Sequence, residues 1–513
     1  NDLLKIFFID SIGLFKPLIL LVLATLFCDC ANILYIIPFT SKSHYIYLKS
    51  LGLELASRGH NVTVITAFRE KVHPPTYHQV MSDDIKIWEA FGIGTTEVAF
   101  KSKEVQNFLK KDNSFDLVIS ELFFQEAFFA LAHKYKAPLV LITTHGNNMR
   151  TNVLLRNPWQ IATVMHEYAT NRYPYSFMGR LRNLYHSLYD LIFWRFWYLD
   201  KQEDLVKKYL NDLPQPIPSL LELQMNASLI LYNTHFSVDI PAAYLPNIIE
   251  VAGMHLKESD NKLAEVNGVI YINFGTNLQS NELPEDKLNA LLNVFRKFKE
   301  TIIFKWEESN LKNKPDNVII RQWFPQKEIF AHPNIKLFIS HGGLIGTQEA
   351  IFNGIPIVGI PIYCDQFNNL LKVQEDGHGK ILEFHDINED NLYRIVKEVL
   401  TDKTYTKKAK EMQARFKDRP MSAMDTAIFW IEYVIRHNGA DFAKNPALKL
   451  NWIASNMLDV YSVILALVLL ICAVLLKIVL LLKNLPFKQK IEKSTMSTLE
   501  YNVPWIGAYV SIH

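Results

Sequence analysis

The chain reads as an α/β protein made of two doubly wound halves, with a transmembrane helix late in the sequence. Strand-like apolar runs alternate with helix-like segments and no hairpin signals intervene, which implies parallel βαβ units. A polar, charged stretch at about 246–265 separates the two halves. A long apolar run followed by lysines supplies the span. The 513 residues leave room for about three domain equivalents.

In the first half, residues 32–38 (Asn-Ile-Leu-Tyr-Ile-Ile-Pro) form a buried strand, and 45–58 an amphipathic helix closed by Gly59. Residues 62–66 are the next strand. Strands at 117–119 and 138–142 follow, with a helical stretch at 125–134 between them. An aromatic-rich insert covers 158–205 and includes Phe193-Trp-Arg-Phe-Trp-Tyr198. The simplest expectation is that its rings pack helices together; an acceptor pocket or a membrane-facing patch is the alternative. In the second half, strands are expected at 269–274, 301–305, 318–320, 336–339 and 357–360, with a helix at 287–298. The domain plan is therefore 31–245, a linker at 246–265, and 266–445. Two such halves place a cleft between the carboxyl ends of their strands, where ligands of open α/β sheets bind.

The two ends have membrane character. Lys16 precedes a short apolar core that runs to Phe27, the layout of a secretory signal over residues 1–30. Residues 457–482 are apolar and long enough to span a bilayer, and the lysines beyond them place the tail, 483–513, in the cytosol. The expected location is the endoplasmic reticulum membrane, single-pass, with the folded part lumenal. Asn61 and Asn226 are sequons, and Asn226 is the better acceptor because Asn61 leads straight into a strand. The 54 basic and 52 acidic side chains nearly cancel, which argues against nucleic acid as a partner. Four cysteines, only one of them between the apolar ends, exclude a disulfide framework or a thiolate zinc site in the folded part. A Gly-x-Gly-x-x-Gly after the first strand and a Walker phosphate loop are both missing, which disfavours dinucleotide and P-loop chemistry.

The segment 323–369 carries the chemistry. Residues 336–340 form a strand, His341-Gly342-Gly343 a turn at its carboxyl end, and 344–353 a helix stopped by Gly354 and Pro356. Glycines there let backbone N–H groups approach a ligand, and a helix N-terminus favours anions, so a diphosphate is the natural occupant. Glu349 lies two turns along, where its carboxylate can accept from ribose hydroxyls. Asp365 and Gln366 follow the next strand end and suit a sugar. Trp323 offers a flat ring for a base, with Gln326 nearby.

This stretch resembles the signature of the UDP-glycosyltransferases, and the resemblance extends over roughly residues 31–480, most like the arthropod members. It implies a GT-B fold of two facing Rossmann-like domains. By that resemblance Trp323 stacks on uracil, Gln326 and Glu349 hold the ribose, and His341, the Gly343 amide and Thr276 contact the diphosphate. Asp365 and Gln366 bind sugar hydroxyls. Ile345 departs, standing where many relatives have Asn. The base is expected in the first half. His44 begins a helix, where the N-terminus disfavours the imidazolium and leaves the ring ready to take a proton. The family pairs that His with a carboxylate after a strand, a place held here by Glu121, with Asp116 as competitor.

The implied reaction is an inverting hexosyl transfer from a UDP-sugar co-substrate to a small lipophilic hydroxylated acceptor. Glucose is the favoured sugar and glucuronic acid the alternative. No further cofactor is expected, and no metal, because Asp-x-Asp and metal-spaced histidines are missing near the motif. An inactive ligand-binding relative is the rival reading, and self-association is left open.

Overall fold

The computed structural model describes residues 30–83, 92–169, 172–258 and 268–484. The expected signal at 1–30, but for Cys30, and the tail from 485 lie outside these residues. Two parallel sheets dominate residues up to 448. The first holds β1 (Asn32–Ile37), β2 (Asn61–Thr66), β3 (Tyr77–Met81), β4 (Leu117–Glu121), β5 (Leu139–Ile142), β6 (Leu229–Tyr232) and β7 (Ile248–Glu250), in the order 3-2-1-4-5-6-7. The second holds β8 (Val269–Asn273), β9 (Thr301–Lys305), β10 (Val318–Arg321), β11 (Ile335–Ser340), β12 (Ile357–Gly359) and β13 (Gly379–Ile381), in the order 10-9-8-11-12-13. Every pairing is parallel. Strand order reverses between β1 and β4 and between β8 and β11, and each reversal opens a crevice at the strands' carboxyl ends.

The helices used below are α1 (Lys42–Ser57), α2 (Met149–Leu155), α3 (Phe177–Phe193), α4 (Leu344–Asn353), α5 (Gln366–Glu375), α6 (Ala423–Arg436) and α7 (Leu458–Asn484). The strands read as near-continuous apolar runs because helices cover both faces of each sheet. Burial follows: β1 alternates its side chains between two clusters, Leu34 and Ile36 in one and Ile33 and Tyr35 in the other.

Three details differ from the reading of the sequence. Residues 77–81 and 248–250 are strands, the first in a stretch assigned no element from the sequence and the second inside the polar stretch 246–265, so the first sheet continues past 245. Helix α6 follows the second sheet in the chain, yet Ala427, Ile428 and Ile431 pack with Leu48, Leu51 and Val64 of the first. An apolar stripe declares that it will be buried, not against which sheet. The third is the aromatic insert. Trp194 and Tyr198 are buried, but the rings of α3 face outward.

Helix α7, over 458–483, is long and apolar enough by length and composition to cross a membrane.

Candidate active site

Each half brings its site residues to the ends of the strands at its reversal. After β1 the chain turns at residues 38–41 and starts α1, which puts His44 in the first helical turn. Glu121 is the last residue of β4, the neighbouring strand across the reversal. The two meet: His44 Nδ1 lies 2.6 Å from Glu121 Oε1. Thr144, just past β5, donates its hydroxyl to the same carboxylate oxygen at 3.1 Å and stands 2.9 Å from His44 Nδ1. Phe39 and Phe123 flank the imidazole at centroid distances of 5.0 and 4.6 Å. Glu121 is 1% exposed, and among the described residues its Oε2 has no hydrogen-bond partner. An ionised carboxylate in that position fixes the tautomer with hydrogen on Nδ1 and leaves Nε2 to the cavity that His44 lines. Asp116 takes no part; its carboxylate accepts from the Asn32 amide at the start of β1.

In the second half, β8 ends at Asn273 and β11 at Ser340. The His341 ring lies between the backbones of Gly275 and Gly343. A Cβ on either glycine would fall within 2.7 Å of His341 Nε2, so only glycine fits, and Gly275 also has φ +99°. Burial pushes the His341 imidazole down to about 4, so the ring is neutral at pH 7 and offers a hydrogen bond, not a charge. Gly343 caps the N-terminus of α4. Glu349, on the second turn of that helix, accepts from Gln326 Nε2, while its other oxygen stands 3.5 Å from His255 Nε2. Asn273 Nδ2 donates to Gln326 Oε1 at 2.7 Å, and its Oδ1 accepts from the Gly275 amide at 2.8 Å. Asn273 thus ties Gln326, and through it Glu349, to the turn after β8.

Farther along the same rim, Asp365 precedes α5 and accepts from Asn369 at 2.9 Å. Burial raises its carboxyl to about 6, and the charge of Glu167 adds to the effect. The Gln366 side-chain oxygen accepts from the Ile362 and Tyr363 amides at 2.9 and 3.1 Å, so that atom holds the loop and is not free for a sugar.

The two rims face one cavity of about 660 Å³. Thr276, Trp323, Gln326, His341, Gly343, Glu349, Asp365 and Gln366 line it together with His44; Glu121 stands behind His44. Two contacts cross from the first half near His44. Ser41 donates to Asn277 at 3.2 Å, and the Lys42 ammonium sits 3.6 Å from the centroid of the Trp323 ring. Thr144, Asn273 and Lys42 were not singled out from the sequence. The first two stand at strand carboxyl ends, the one signal that could have found them. Ile345 both lines the cavity and packs against the first-half cluster, so an apolar residue there has a structural use.

Two open parallel sheets with a nucleotide-type turn on one and a His–carboxylate pair on the other define a GT-B glycosyltransferase. Solved structures agree on the fold. The chain is similar to a UDP-glucose:anthocyanidin 3-O-glucosyltransferase in complex with UDP, with a TM-score of 0.55, 15% identity, and coverage of 79% of this chain and 99% of that one. It is also similar to the glycotransferase of kitacinnamycin, with a TM-score of 0.56, 15% identity, and coverage of 79% and 99%. In sequence it is 34% identical to UDP-glucosyltransferase 2 of Dactylopius coccus over 474 residues, 85% of this chain and 90% of the relative. It is 26% identical to UDP-glucuronosyltransferase 2B15 of Homo sapiens over 480 residues, 83% and 89%. Residues 68–493 match the family described as UDP-glucoronosyl and UDP-glucosyl transferase, and the chain belongs to that family. It is a UDP-glycosyltransferase.

Proposed function

We propose that the protein transfers a hexose, glucose, from its UDP-sugar to a hydroxyl of a small lipophilic acceptor, inverting the anomeric centre, with His44 as general base. The observation that carries this is the buried Glu121 behind His44, on the opposite rim of one cavity from the donor residues. The acceptor O–H gives its proton to His44 Nε2 as its oxygen attacks the anomeric carbon. The bond to the UDP oxygen breaks on the far side, and UDP leaves with that electron pair. Glu121 stabilises the imidazolium. The Gly343 amide, the α4 N-terminus, Thr276 and neutral His341 receive the diphosphate charge. These fixed donors are the reason to expect turnover without a metal, which assay in EDTA tests.

The sugar end favours glucose over glucuronic acid. Asp365 and Glu167 would repel a sugar carboxylate. Among the described residues lining the cavity there is no arginine; Lys49, Lys305 and Lys372 are paired with Glu70, Glu307 and Asp376, and the fourth lysine, Lys327, donates to the His255 carbonyl at 2.8 Å. Phe39, Phe123, Val164, Met165 and Tyr168 support an apolar acceptor. The reading includes membrane attachment through α7 and a lumenal, endoplasmic reticulum location for the folded part. A panel of UDP-sugars and phenols assayed by mass spectrometry tests it. Higher kcat/KM with UDP-glucuronic acid than with UDP-glucose would reject the sugar assignment.

A further inference from the structure

Helix α3 is amphipathic in the inverted sense, and the π-helical turn that continues it anchors it through buried Trp194 and Tyr198. Along α3 the positions facing the protein are small or polar. Gly179, Asn183 and Ser187 are buried, and Asp190 pairs with Arg150 of α2 at 3.1 Å. Positions facing out are apolar: Phe177, Leu181, Tyr185, Tyr189, Phe193 and Trp197, spaced four apart, are 41–69% exposed. The rings form a continuous ladder, with Tyr189 and Phe193 stacked at 6.3 Å and Phe193 and Trp197 at 4.8 Å. A face of this length would be costly in water, since exposed patches of this kind mark interaction surfaces.

We propose that the outer face of residues 177–198 rests on a phospholipid bilayer carrying anionic headgroups. Three features select lipid over a protein partner. The row is rich in Tyr, Trp and Phe, the residues that sit at membrane–water interfaces. Arg180, Arg182 and Arg195 against Asp190 make the segment positive by two, complementary to anionic headgroups. The chain also carries its own candidate span, α7, and the proposal rests on that membrane reading.

The inner face of the same helix holds the acceptor wall. Asn183 donates to the Ile161 and Val164 carbonyls at 2.7 and 2.8 Å and accepts from the His166 amide at 2.7 Å, and Val164 and Met165 line the cavity. One helix therefore presents a lipid-facing surface outside and fixes the acceptor pocket inside, which suits acceptors that are dissolved in the bilayer.

The test uses the full chain reconstituted in phosphatidylcholine–phosphatidylserine vesicles with a photoreactive acyl chain, followed by irradiation, digestion and mass spectrometry. Lipid adducts are expected on 177–198 as well as on 458–484. The triple variant Tyr185→Asp, Tyr189→Asp, Phe193→Asp should cut the first set at least tenfold, leaving the second set and turnover of a water-soluble phenol unchanged. Adducts confined to 458–484 would overturn the proposal. So would crosslinks between two copies through 177–198 in place of lipid adducts, which would assign the face to self-association. Adducts on 177–198 without any on 458–484 would uphold the surface and refute the span; none on either would overturn both.

Discussion

Replacing Glu121 by Gln keeps the side-chain size and removes only the charge and the acceptor-only character of the group. At the 2.6 Å separation from His44 Nδ1, a unit charge pair in an effective dielectric of about 20 is worth ~6 kcal/mol. If about half of that develops as the proton arrives on Nε2, the loss is ~3 kcal/mol, or ~10²-fold in rate. The amide can also turn its NH2 toward Nδ1, which shifts the ring hydrogen to Nε2 and removes the base, so the loss extends toward ~10⁴-fold. Glu121→Asp retains the charge but withdraws it by about one bond length, to ~4 Å, where the same pair is worth ~4 kcal/mol. Its expected loss is roughly tenfold. The assay is kcat with UDP-glucose and a phenol, beside the Kd for UDP by calorimetry, which should stay within about twofold because the residues proposed to hold UDP lie in the other half. A Glu121→Gln enzyme as fast as wild type would refute the pairing. Equal losses in the Asp and Gln variants would refute the charge argument and leave only packing.

Four further outcomes concern the cavity. Burial pushes the Asp365 carboxyl up to about 6, so below that pH it is protonated and a weaker acceptor: if it binds the donor sugar as proposed, UDP-glucose Kd should rise as pH falls from 7 to 5, UDP-glucose binding by Asp365→Asn should not follow that change, and a parallel change in both would assign it elsewhere. The same shift implies that burial of the ionised form opposes folding, so the Asp365 contribution to stability is present below pH 4 and lost as pH rises through 6, which denaturant midpoints at the two pH values would show. Lys42→Ala frees the face of Trp323 that its ammonium covers; UDP should bind roughly 2–5-fold tighter if that face takes uracil, and weaker binding would place the base on the other face. Gln366→Ala leaves the Ile362 and Tyr363 amides without their acceptor at a cost of ~1–3 kcal/mol each, so the melting temperature should drop together with activity; an unchanged melting temperature would restore a purely sugar-binding role.

The donor half was legible because its chemistry is local. From Trp323 to Gln366 the turn glycines, the helix stop at Gly354 and the strand before His341 all announce themselves within a few dozen residues. His44 and Glu121 are 77 residues apart, and they were paired through the family resemblance and the position of Glu121 at a strand end. Thr144 lies at the next strand end and would have followed from the same rule. Other features depend on three-dimensional context. The β3 strand follows Pro74 and Pro75 and, among the described residues, pairs only with β2, so nothing local separates it from a loop. Helix α6 crosses back to the first sheet, and its stripe does not name its partner. The aromatic insert misled because a ring-rich helix in an aqueous protein normally turns its rings inward, whereas α3 turns Asn183 and Ser187 inward.

The configuration of the product tests the central claim most directly. The full chain is incubated with UDP-α-glucose and a phenol in EDTA, and the anomeric proton coupling of the glycoside is read by NMR, for wild type and His44→Ala. The account predicts a β-glucoside from the wild type and turnover lowered by roughly 10²–10⁴-fold in the variant, with UDP still bound. An α-glucoside, or a His44→Ala enzyme that keeps wild-type turnover, would contradict it.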